Sequence, residues 1–140
     1  MMESGLTIRD YTPDDFPGLM ALWEETSLSN KARGDNEETI RTTLQSGGRL
    51  ILLLDNSLII GSSWITNDGR RLYLHHFGIL PGYQGRRLAH LLIRESLAFA
   101  DQKKMQIKLE VHRSNTKAVS LYKKYGFGYL GDYDVYIIRR

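Results

Sequence analysis

The feature that most constrains the fold is a run of three β-strand patterns with only short turns between them. Arg49–Leu54 and Ser57–Ile65 are apolar runs on either side of Asp55-Asn56, a pair that favours a tight hairpin turn. A second turn, Asn67-Asp68-Gly69, leads into a third strand pattern over Arg70–Ile79. Strands joined by such short turns pair antiparallel, so the sequence predicts a three-stranded meander.

Helical spacing of apolar residues and the turn residues around them predict the remaining elements. The predicted helices open at Thr12-Pro13, cover 37–45, begin after Gln84 and cover 116–125, whereas strands cover 7–11 and 105–112 and a final hairpin covers 127–138. The order βααβββαβαββ indicates an α+β fold, a mixed, mostly antiparallel sheet flanked by helices. The strands on either side of the third helix are expected to be parallel. A single domain is expected over residues 1–140.

Composition excludes several classes of protein. The net charge is +3, from 19 basic and 16 acidic residues, which is too small and too dispersed to indicate nucleic-acid binding. The longest aliphatic run, Leu50–Leu54, is too short to span a membrane, and the first ten residues lack a signal-peptide pattern. There is no cysteine, so disulfides and a cysteine nucleophile are excluded. We therefore expect a soluble, cytoplasmic protein without a membrane or nucleic-acid partner.

The stretch ILPGYQGRRLAHLLI, residues 79–93, places two arginines at the start of an apolar helix. Helix N-termini favour anions, because free N–H groups and the helix dipole point outward there. Arg86 and Arg87 are therefore at the unfavourable end of the helix unless an anion compensates them. Neither a Walker A pattern nor a G-x-G-x-x-G pattern is present. On these residues alone, a phosphate-binding junction and an ordinary connection with solvated arginines both stay open.

Two motifs resemble the GNAT superfamily of N-acetyltransferases. The segment LEVHRSNTKAVSLYKKYGF, residues 109–127, is similar to the family pattern L-x-V-x-x-x-N-x-x-A-x-x-L-Y-x-x-x-G-F. The stretch FGILPGYQGRRLAHLL, residues 77–92, resembles the acyl-CoA loop Q/R-x-x-G-x-G/A through Gln84 and Ala89. The matching residues of the first motif are Leu109, Val111, Asn115, Ala118, Leu121, Tyr122, Gly126 and Phe127.

The resemblance implies acetyl-CoA as cosubstrate, an amine as acceptor and no metal. It implies that acetyl-CoA lies between strands 70–79 and 105–112, with its diphosphate on the amides of 84–89 and its pantetheine arm along the backbone of Phe77 and Ile79. Asn115 matches a position that contacts the pantetheine arm, and it is also a good helix N-cap. The implied cofactor-binding residues are Phe77, Gly78, Ile79, Gln84, Gly85, Arg86, Arg87, Leu88, Ala89, Asn115 and Tyr122.

Arg87 departs from the family pattern, which has glycine at this position. A positive φ there would cost an arginine about 1–2 kcal/mol, whereas a helical conformation would cost nothing. A helical Arg87 could also contact a phosphate. We expect the helical conformation.

Two side chains are candidates for the chemistry of acetyl transfer. Glu110 lies between the apolar strand residues Leu109 and Val111, so its side chain is expected on the opposite face of the strand from theirs. In ribosomal-protein alanine acetyltransferases, which this segment resembles, a Glu in a similar E-V-x-x-x-N context is the base. Its alternative role is a solvated carboxylate on the polar face of a strand. Tyr122 matches the family's general acid, which protonates the leaving thiolate, and its alternative role is core packing.

Adjacent histidines in the third meander strand offer another candidate. Strand alternation predicts that His75 and His76 point to opposite faces of the sheet, so they could not bind one metal together. In several relatives the position of His75 carries a Glu or His that handles the substrate amine, which makes His75 a second candidate base. A histidine that is simply hydrogen-bonded within the sheet is the alternative.

The leading function is therefore acetyl transfer from acetyl-CoA to a primary amine in a ternary complex. A non-catalytic acyl-CoA-binding module is the alternative, which the presence of Glu110 and Tyr122 disfavours. An RNA-binding domain would need exposed aromatic residues, whereas the tyrosines of 127–138 fit a hairpin. The loop 27–36 and the first two helices are expected to wall the acceptor side, but their mixed charges do not identify the amine. The assembly state is left open, a homodimer included.

Overall fold

A five-stranded sheet organises the first part of the chain in the computed structural model, which describes residues 5–28 and 35–140. Its strands lie side by side in chain order. They are β1 (Leu6–Asp10), β2 (Arg49–Asp55), β3 (Leu58–Asn67), β4 (Leu72–Ile79) and β5 (Ile107–Leu109). Neighbouring strands are antiparallel except β4 and β5, which are parallel. The predicted fold class, the meander and the parallel pair are confirmed.

The described residues include four α-helices. They are α1 (Phe16–Glu25), α2 (Glu37–Gln45), α3 (Leu88–Lys103) and α4 (Thr116–Lys124). A 3-10 turn over Pro13–Asp15 precedes α1, and another over Pro81–Tyr83 connects β4 towards α3. None of the helices in the described ranges is long and apolar enough to cross a membrane. Most of the predicted loop 27–36 lies outside the described residues.

One face of the sheet packs against α1 and α2 around a buried pair of tryptophans. The rings of Trp23 in α1 and Trp64 in β3 are stacked, with centroids 5.4 Å apart. Their indole N–H groups donate to Ser62 Oγ and Thr43 Oγ1, each at 2.9 Å, so neither polar atom is buried without a partner. The apolar cluster around them contains Leu19, Leu22, Ile40, Leu50, Leu52, Leu54 and Ile59.

The opposite face packs against α3. Because side chains alternate along a strand, Ile51 and Leu53 point away from the α1–α2 face, and both are fully buried. Ser63 of β3 and Ser96 of α3 hydrogen-bond across this interface, with their Oγ atoms 2.7 Å apart. Helix α3 therefore covers the second face and closes a three-layer arrangement.

Residues from Glu110 onwards form a second compact unit, which contains α4. Asn115 is the N-cap, because its Oδ1 accepts a hydrogen bond from the N–H of Ala118 at 3.2 Å. Gly126, at φ +95°, follows the helix in the left-handed conformation. The predicted cap, helix and glycine stop are confirmed, whereas the single-domain expectation stays a prediction.

The predicted final hairpin over 127–138 is wrong, and with it the last two strands of the predicted order. The structure has neither helix nor strand there, and Tyr129, Leu130, Tyr133 and Tyr136 are exposed. Alternation of apolar and polar residues is only a weak preference for a strand, and its outcome depends on context. The second unit contains no strand among its residues, so alternation alone does not form one.

The predicted strand over 105–112 is also too long. Only Ile107–Leu109 pair with β4, opposite Leu72, Tyr73 and Leu74. β4 continues to Ile79 beyond the end of this ladder. All three residues of β5 therefore pair with the first three residues of β4, and the rest of β4 has no β5 residue opposite it.

The expected helical conformation of Arg87 is wrong. Arg87 has φ +62° and ψ +20°, in the left-handed region, and α3 begins one residue later at Leu88 rather than directly after Gln84. Gly85, two residues before it, is also left-handed at φ +83°. This turn reverses the chain between β4 and α3, so the local geometry outweighs the preference of arginine for negative φ.

Asp15 should contribute to acid sensitivity. Its carboxylate accepts hydrogen bonds from Arg9 at 2.8 and 2.9 Å and from the N–H of Thr12 at 2.8 Å, and the Arg9 guanidinium chiefly lowers the pKa of Asp15 to about 2. A lowered folded-state pKa stabilises the fold above about pH 4, and this is lost as pH falls towards 2.

We therefore expect Asp15→Asn to lower the free energy of unfolding at pH 7 by about 1 kcal/mol, a modest value because Arg9 is 41% exposed. Urea unfolding at pH 7 and pH 3 measures this, and the variant should lose less stability between the two than the wild type. Asp14→Asn is the matched control. Equal pH dependence in Asp15→Asn and wild type would contradict the assignment.

Arg87→Gly should stabilise the protein. A left-handed non-glycine residue costs about 1–2 kcal/mol, and the extra freedom of an unfolded glycine offsets about 0.5–1 kcal/mol of the gain. We expect a net increase of about 0.5–1 kcal/mol in the free energy of unfolding, measured by urea denaturation. Lys104, at φ +56° after the other end of α3, is the matched control, and Lys104→Gly should give a similar gain. A loss of stability in Arg87→Gly alone would show that the arginine side chain contributes more than its backbone strain costs.

Candidate active site

The connection between β4 and α3 is held in place by its own side chains. Gln84 Nε2 donates to the carbonyl oxygen of Ile79 at 2.9 Å, which ties the loop back to the end of β4. The guanidinium of Arg86 lies 5.0 Å from the ring centre of Tyr83, whose hydroxyl donates to Asp55 at 2.7 Å. Within the described chain, no side chain caps the first turn of α3, where Leu88 and Ala89 lie. The N-terminus of α3 thus presents backbone N–H groups beside two arginines.

The end of β4 leads directly into this connection. Gly78 pairs with Ser62 and Ile79 pairs with Gly61 of β3. A Cβ on Gly78 would lie 3.1 Å from Leu28 Cδ1, so the residues following α1 approach the backbone closely here. The described ladder with β5 has already ended at Leu74. Phe77, Gly78 and Ile79 therefore lie on a stretch of β4 that β5 does not cover.

A β-bulge interrupts β4 just before this stretch. Trp64 pairs with His75 and Ser62 pairs with Gly78, so His76 and Phe77 together stand opposite the single residue Ser63. His76 adopts φ +44°, in the left-handed region.

The predicted opposite orientation of the two histidines is wrong because of this bulge. The ring centres of His75 and His76 lie 6.2 and 5.1 Å from that of Trp64, so both side chains are on the α1–α2 face. The extra residue breaks the two-residue alternation on which the prediction rested.

His76 and Asp35 form a hydrogen-bonded pair beside the tryptophans. His76 Nε2 is 3.0 Å from Asp35 Oδ2, and the side chains are 17% and 10% exposed. The His76 ring also lies 4.4 Å from the ring centre of Trp23. Sequence reasoning missed this pair, since 41 positions separate its members and strand alternation directed His76 to the other face. The available signal was that histidine is among the residues that tolerate positive φ.

His75 has different neighbours. Its Nε2 is 2.9 Å from Thr66 Oγ1, and its ring stacks on Tyr73 with centroids 4.2 Å apart. A hydroxyl can either donate or accept, so this bond does not fix which ring nitrogen carries the proton. The structure thus places His75 on the same face as His76, beside Thr66 and Tyr73.

The remaining predicted residues belong to the second unit. Glu110 is exposed and directly follows β5 in the chain. Tyr122 is 8% exposed, and its ring meets that of Phe127 edge-on at 5.6 Å. Burial raises the pKa of Tyr122 to about 12. Its phenol is therefore protonated throughout the neutral range.

The described residues contain no group of three or more His, Asp or Glu side chains arranged to hold a metal ion. The first unit contains imidazole and carboxylate side chains and the backbone N–H groups at the start of α3, and the second unit contains the Glu110 carboxylate and the Tyr122 phenol.

Comparisons with known proteins identify relatives of the chain. An acetyltransferase of Yersinia pestis strain Pestoides F is 29% identical over 126 residues, which cover 85% of each chain. The ribosomal-protein-S18-alanine N-acetyltransferase of Escherichia coli superposes with a TM-score of 0.73 at 20% identity, covering 88% of this chain and 77% of that one. A GNAT family acetyltransferase of Elizabethkingia anophelis with acetyl-CoA bound gives a TM-score of 0.63 at 22% identity, covering 90% and 78%.

The family model described as "Acetyltransferase (GNAT) family" matches residues 9–127, which include the β4–α3 connection and α4. This stretch is most of the chain. The protein therefore belongs to the GNAT family of acetyltransferases.

Proposed function

We propose that the protein transfers an acetyl group directly from acetyl-CoA to a primary amine while both are bound. The observation that carries this proposal is the connection between β4 and α3. Its two positive-φ positions, Gly85 and Arg87, expose the uncapped start of α3 next to two arginines. This suits a diphosphate, which backbone N–H groups and a helix dipole favour.

The pantetheine arm is assigned to the end of β4. Its amides can pair with a strand backbone in the way another strand would, and β5 stops short of Phe77 and Ile79. Asn115 caps α4 through its Oδ1, which leaves its amide N–H₂ group for the proposed contact with the pantetheine arm. The proposed coenzyme thus runs from the start of α3 along β4.

Acetyl transfer then needs a proton acceptor and a donor for the sulfur. Glu110 and His75 are the acceptors that the resemblance to the family supplies, and Tyr122 is the donor. Full transfer from a phenol with a pKa of about 12 to a thiolate whose conjugate acid has a pKa near 8.5 is uphill by about 5 kcal/mol. A hydrogen bond to the departing sulfur is therefore the main contribution we assign to the Tyr122 hydroxyl.

The acceptor amine is drawn from protein N-termini, lysine side chains and small molecules. The name of the Escherichia coli relative points to the first of these for that protein. Mixed acidic and basic side chains around α1 and α2 favour none of them here.

A panel of amines tests the function. Each amine is mixed with acetyl-CoA and the protein, and release of free thiol is followed together with the acetylated product. We expect turnover with at least one class of primary amine, and a rise in melting temperature with acetyl-CoA because a ligand of the folded state stabilises it. A melting shift without turnover in any arm would identify the non-catalytic acyl-CoA-binding module. Absence of both would overturn the proposal.

Tyr122→Phe tests the leaving-group step. The ring still fills its buried site, so acetyl-CoA should raise the melting temperature as in the wild type, whereas kcat should fall about 10²-fold through loss of one hydrogen-bond donor. Because the pKa of Tyr122 is about 12, its ionisation should contribute no basic limb below about pH 10. The rate profile of the variant between pH 7 and 10 should therefore be lower but unchanged in shape. Tyr125→Phe is the control, and a wild-type rate in Tyr122→Phe would make Tyr122 a packing residue.

A further inference from the structure

We propose that the acceptor amine also carries an anionic group, a carboxylate or a phosphate, and that a cleft beside the start of β4 binds this group. The inference rests on the proposed acetyl transfer to a primary amine, and it adds the chemical class of the acceptor. We call the site the cationic cleft. It is lined by Thr66, Asp68, Arg70, Arg71, Tyr73 and Lys108.

Three neighbouring strands form the floor of the cationic cleft. Thr66 of β3 pairs with Tyr73 of β4, and Tyr73 pairs with Lys108 of β5, so the three side chains form a row on one face of the sheet. The Tyr73 ring stacks on that of His75, and Lys108 Nζ lies 5.9 Å from the centre of the Tyr73 ring. The cleft therefore lies on the α1–α2 face, next to His75.

The turn between β3 and β4 supplies the two arginines of the cleft. Asp68 Oδ1 accepts hydrogen bonds from the backbone N–H groups of Arg70 and Arg71 at 2.8 and 2.7 Å, and the N–H of Asp68 donates to the carbonyl oxygen of Arg71 at 3.2 Å. These backbone hydrogen bonds chiefly lower the pKa of Asp68. The turn thus stabilises the Asp68 charge itself and holds both arginines at the cleft.

The cleft has an excess of positive charge. Its described lining contains three cations, Arg70, Arg71 and Lys108, against the single carboxylate of Asp68. In the part of the chain that the structure describes, none of the three cations forms a salt bridge. Like charges around one cleft repel each other, and a bound anion offsets this repulsion. Guanidinium groups also match carboxylate and phosphate oxygens in geometry.

The proposed coenzyme directs its acetyl group towards the cationic cleft. Its diphosphate is assigned to the start of α3 and its pantetheine arm to Phe77–Ile79, so the thioester at the end of the arm continues towards the start of β4. Tyr73 precedes Phe77 by four residues, about 13 Å along a regular strand, and the bulge at His76 shortens this distance. An acceptor that reaches the thioester along β4 therefore extends into the cleft.

This spacing sets the distance between the amine and the anionic group. A nitrogen beside the thioester and an anion in the cleft are on the order of 10 Å apart. The α-carboxylate of a free amino acid is too close to its amine, since a single carbon separates the two groups. An extended peptide spans about 3.3–3.6 Å per residue, so an acidic side chain at the second or third residue from a free N-terminus fits. A small amine with its anionic group at a similar distance fits equally.

The cleft has room for such a group. Its volume is about 230 Å³, several times the roughly 30 Å³ that one water molecule occupies in the liquid. A carboxylate or a phosphate can therefore enter together with some of its hydration water, which lowers the cost of removing the anion from solvent.

Matched acceptors test the charge preference. For the amine class that turns over in the panel, each acidic acceptor is compared with its neutral counterpart: peptides with glutamate or glutamine as third residue, peptides with phosphoserine or serine there, and a long-chain ω-amino acid or its primary amide. We expect kcat/KM to be about 10-fold higher for the acidic member at low ionic strength, and the preference to weaken as salt is added. The pair with the larger preference identifies carboxylate or phosphate as the anion.

Variants of the cleft locate the preference. Lys108→Gln and Arg71→Gln each remove one positive charge and keep much of the side-chain length. In each we expect the preference for the acidic acceptor to fall to less than about 3-fold, because the loss of kcat/KM is larger for the acidic member than for the neutral one. Arg94→Gln removes one charge from an exposed residue of α3, on the other face of the sheet, and is the matched control. It should keep the wild-type preference.

A binding measurement tests the cleft without turnover. Tricarballylate, a tricarboxylate, is added at constant ionic strength in the presence of acetyl-CoA, which occupies the proposed diphosphate site. It should raise the melting temperature of the wild type and of Arg94→Gln, because it binds the folded state. The increase should be smaller in the double variant Lys108→Gln with Arg71→Gln. An equal increase in the wild type and the double variant would refute the cleft as an anion site.

The outcomes separate this inference from acetyl transfer itself. No turnover by the wild type with any amine would refute acetyl transfer, and the tricarballylate measurement would still decide whether the cleft binds anions. Turnover with equal kcat/KM for acidic and neutral acceptors would refute this inference alone. So would a preference that Lys108→Gln and Arg71→Gln leave unchanged, or an equal loss for both members of every pair, which would indicate a structural role.

Discussion

The arrangement of the site depends on one irregularity in the sheet, the bulge at His76. A regular β4 would direct His76 towards α3, where Ser63 and Ser96 bond to each other between apolar residues. An imidazole buried there without a partner would cost about 1–3 kcal/mol. The extra residue turns the ring to the α1–α2 face instead, where Asp35 meets it. The left-handed backbone of His76 thus places the ring where it has a hydrogen-bond partner, on the α1–α2 face of the sheet.

In the connection between β4 and α3, backbone strain likewise accompanies a particular placement of polar groups. Gly85 and Arg87 both have positive φ, and only the glycine does so without strain. The result is a helix whose first N–H groups follow a sharp turn and have no side-chain cap among the described residues. Such a helix start is unfavourable in isolation and favourable once an anion binds. The bulge at His76 thus directly precedes the stretch Phe77–Ile79, and the turn at Gly85 and Arg87 follows it in the connection to α3.

How much the sequence predicts depends on how local the governing interactions are. Turns and caps involve neighbours in the chain, so the β2–β3 hairpin, the Asn115 cap and the Gly126 stop could be read from residue types. The meander and the parallel β4–β5 pair followed from short connections and handedness. The helical conformation predicted for Arg87 was wrong because it followed from the preference of arginine for negative φ and not from the geometry of the turn. The predicted hairpin over 127–138 was wrong because alternation of apolar and polar residues is only a weak preference for a strand, which depends on context.

The His76–Asp35 pair could be found only from the structure, because strand alternation and a bulge predict opposite orientations for His76. Alternation assigns adjacent strand residues to opposite faces, and a bulge reverses that assignment without a mark that periodicity can detect. Asp35 is buried next to the start of α2 and 41 positions from its partner. The stacked tryptophans link the two observations: Trp64 pairs with His75 in β3–β4, and Trp23 brings α1 against His76. Hydrophobic periodicity predicts that the two tryptophan rings are buried. Their packing positions His76 beside Asp35, a polar pair that periodicity does not predict.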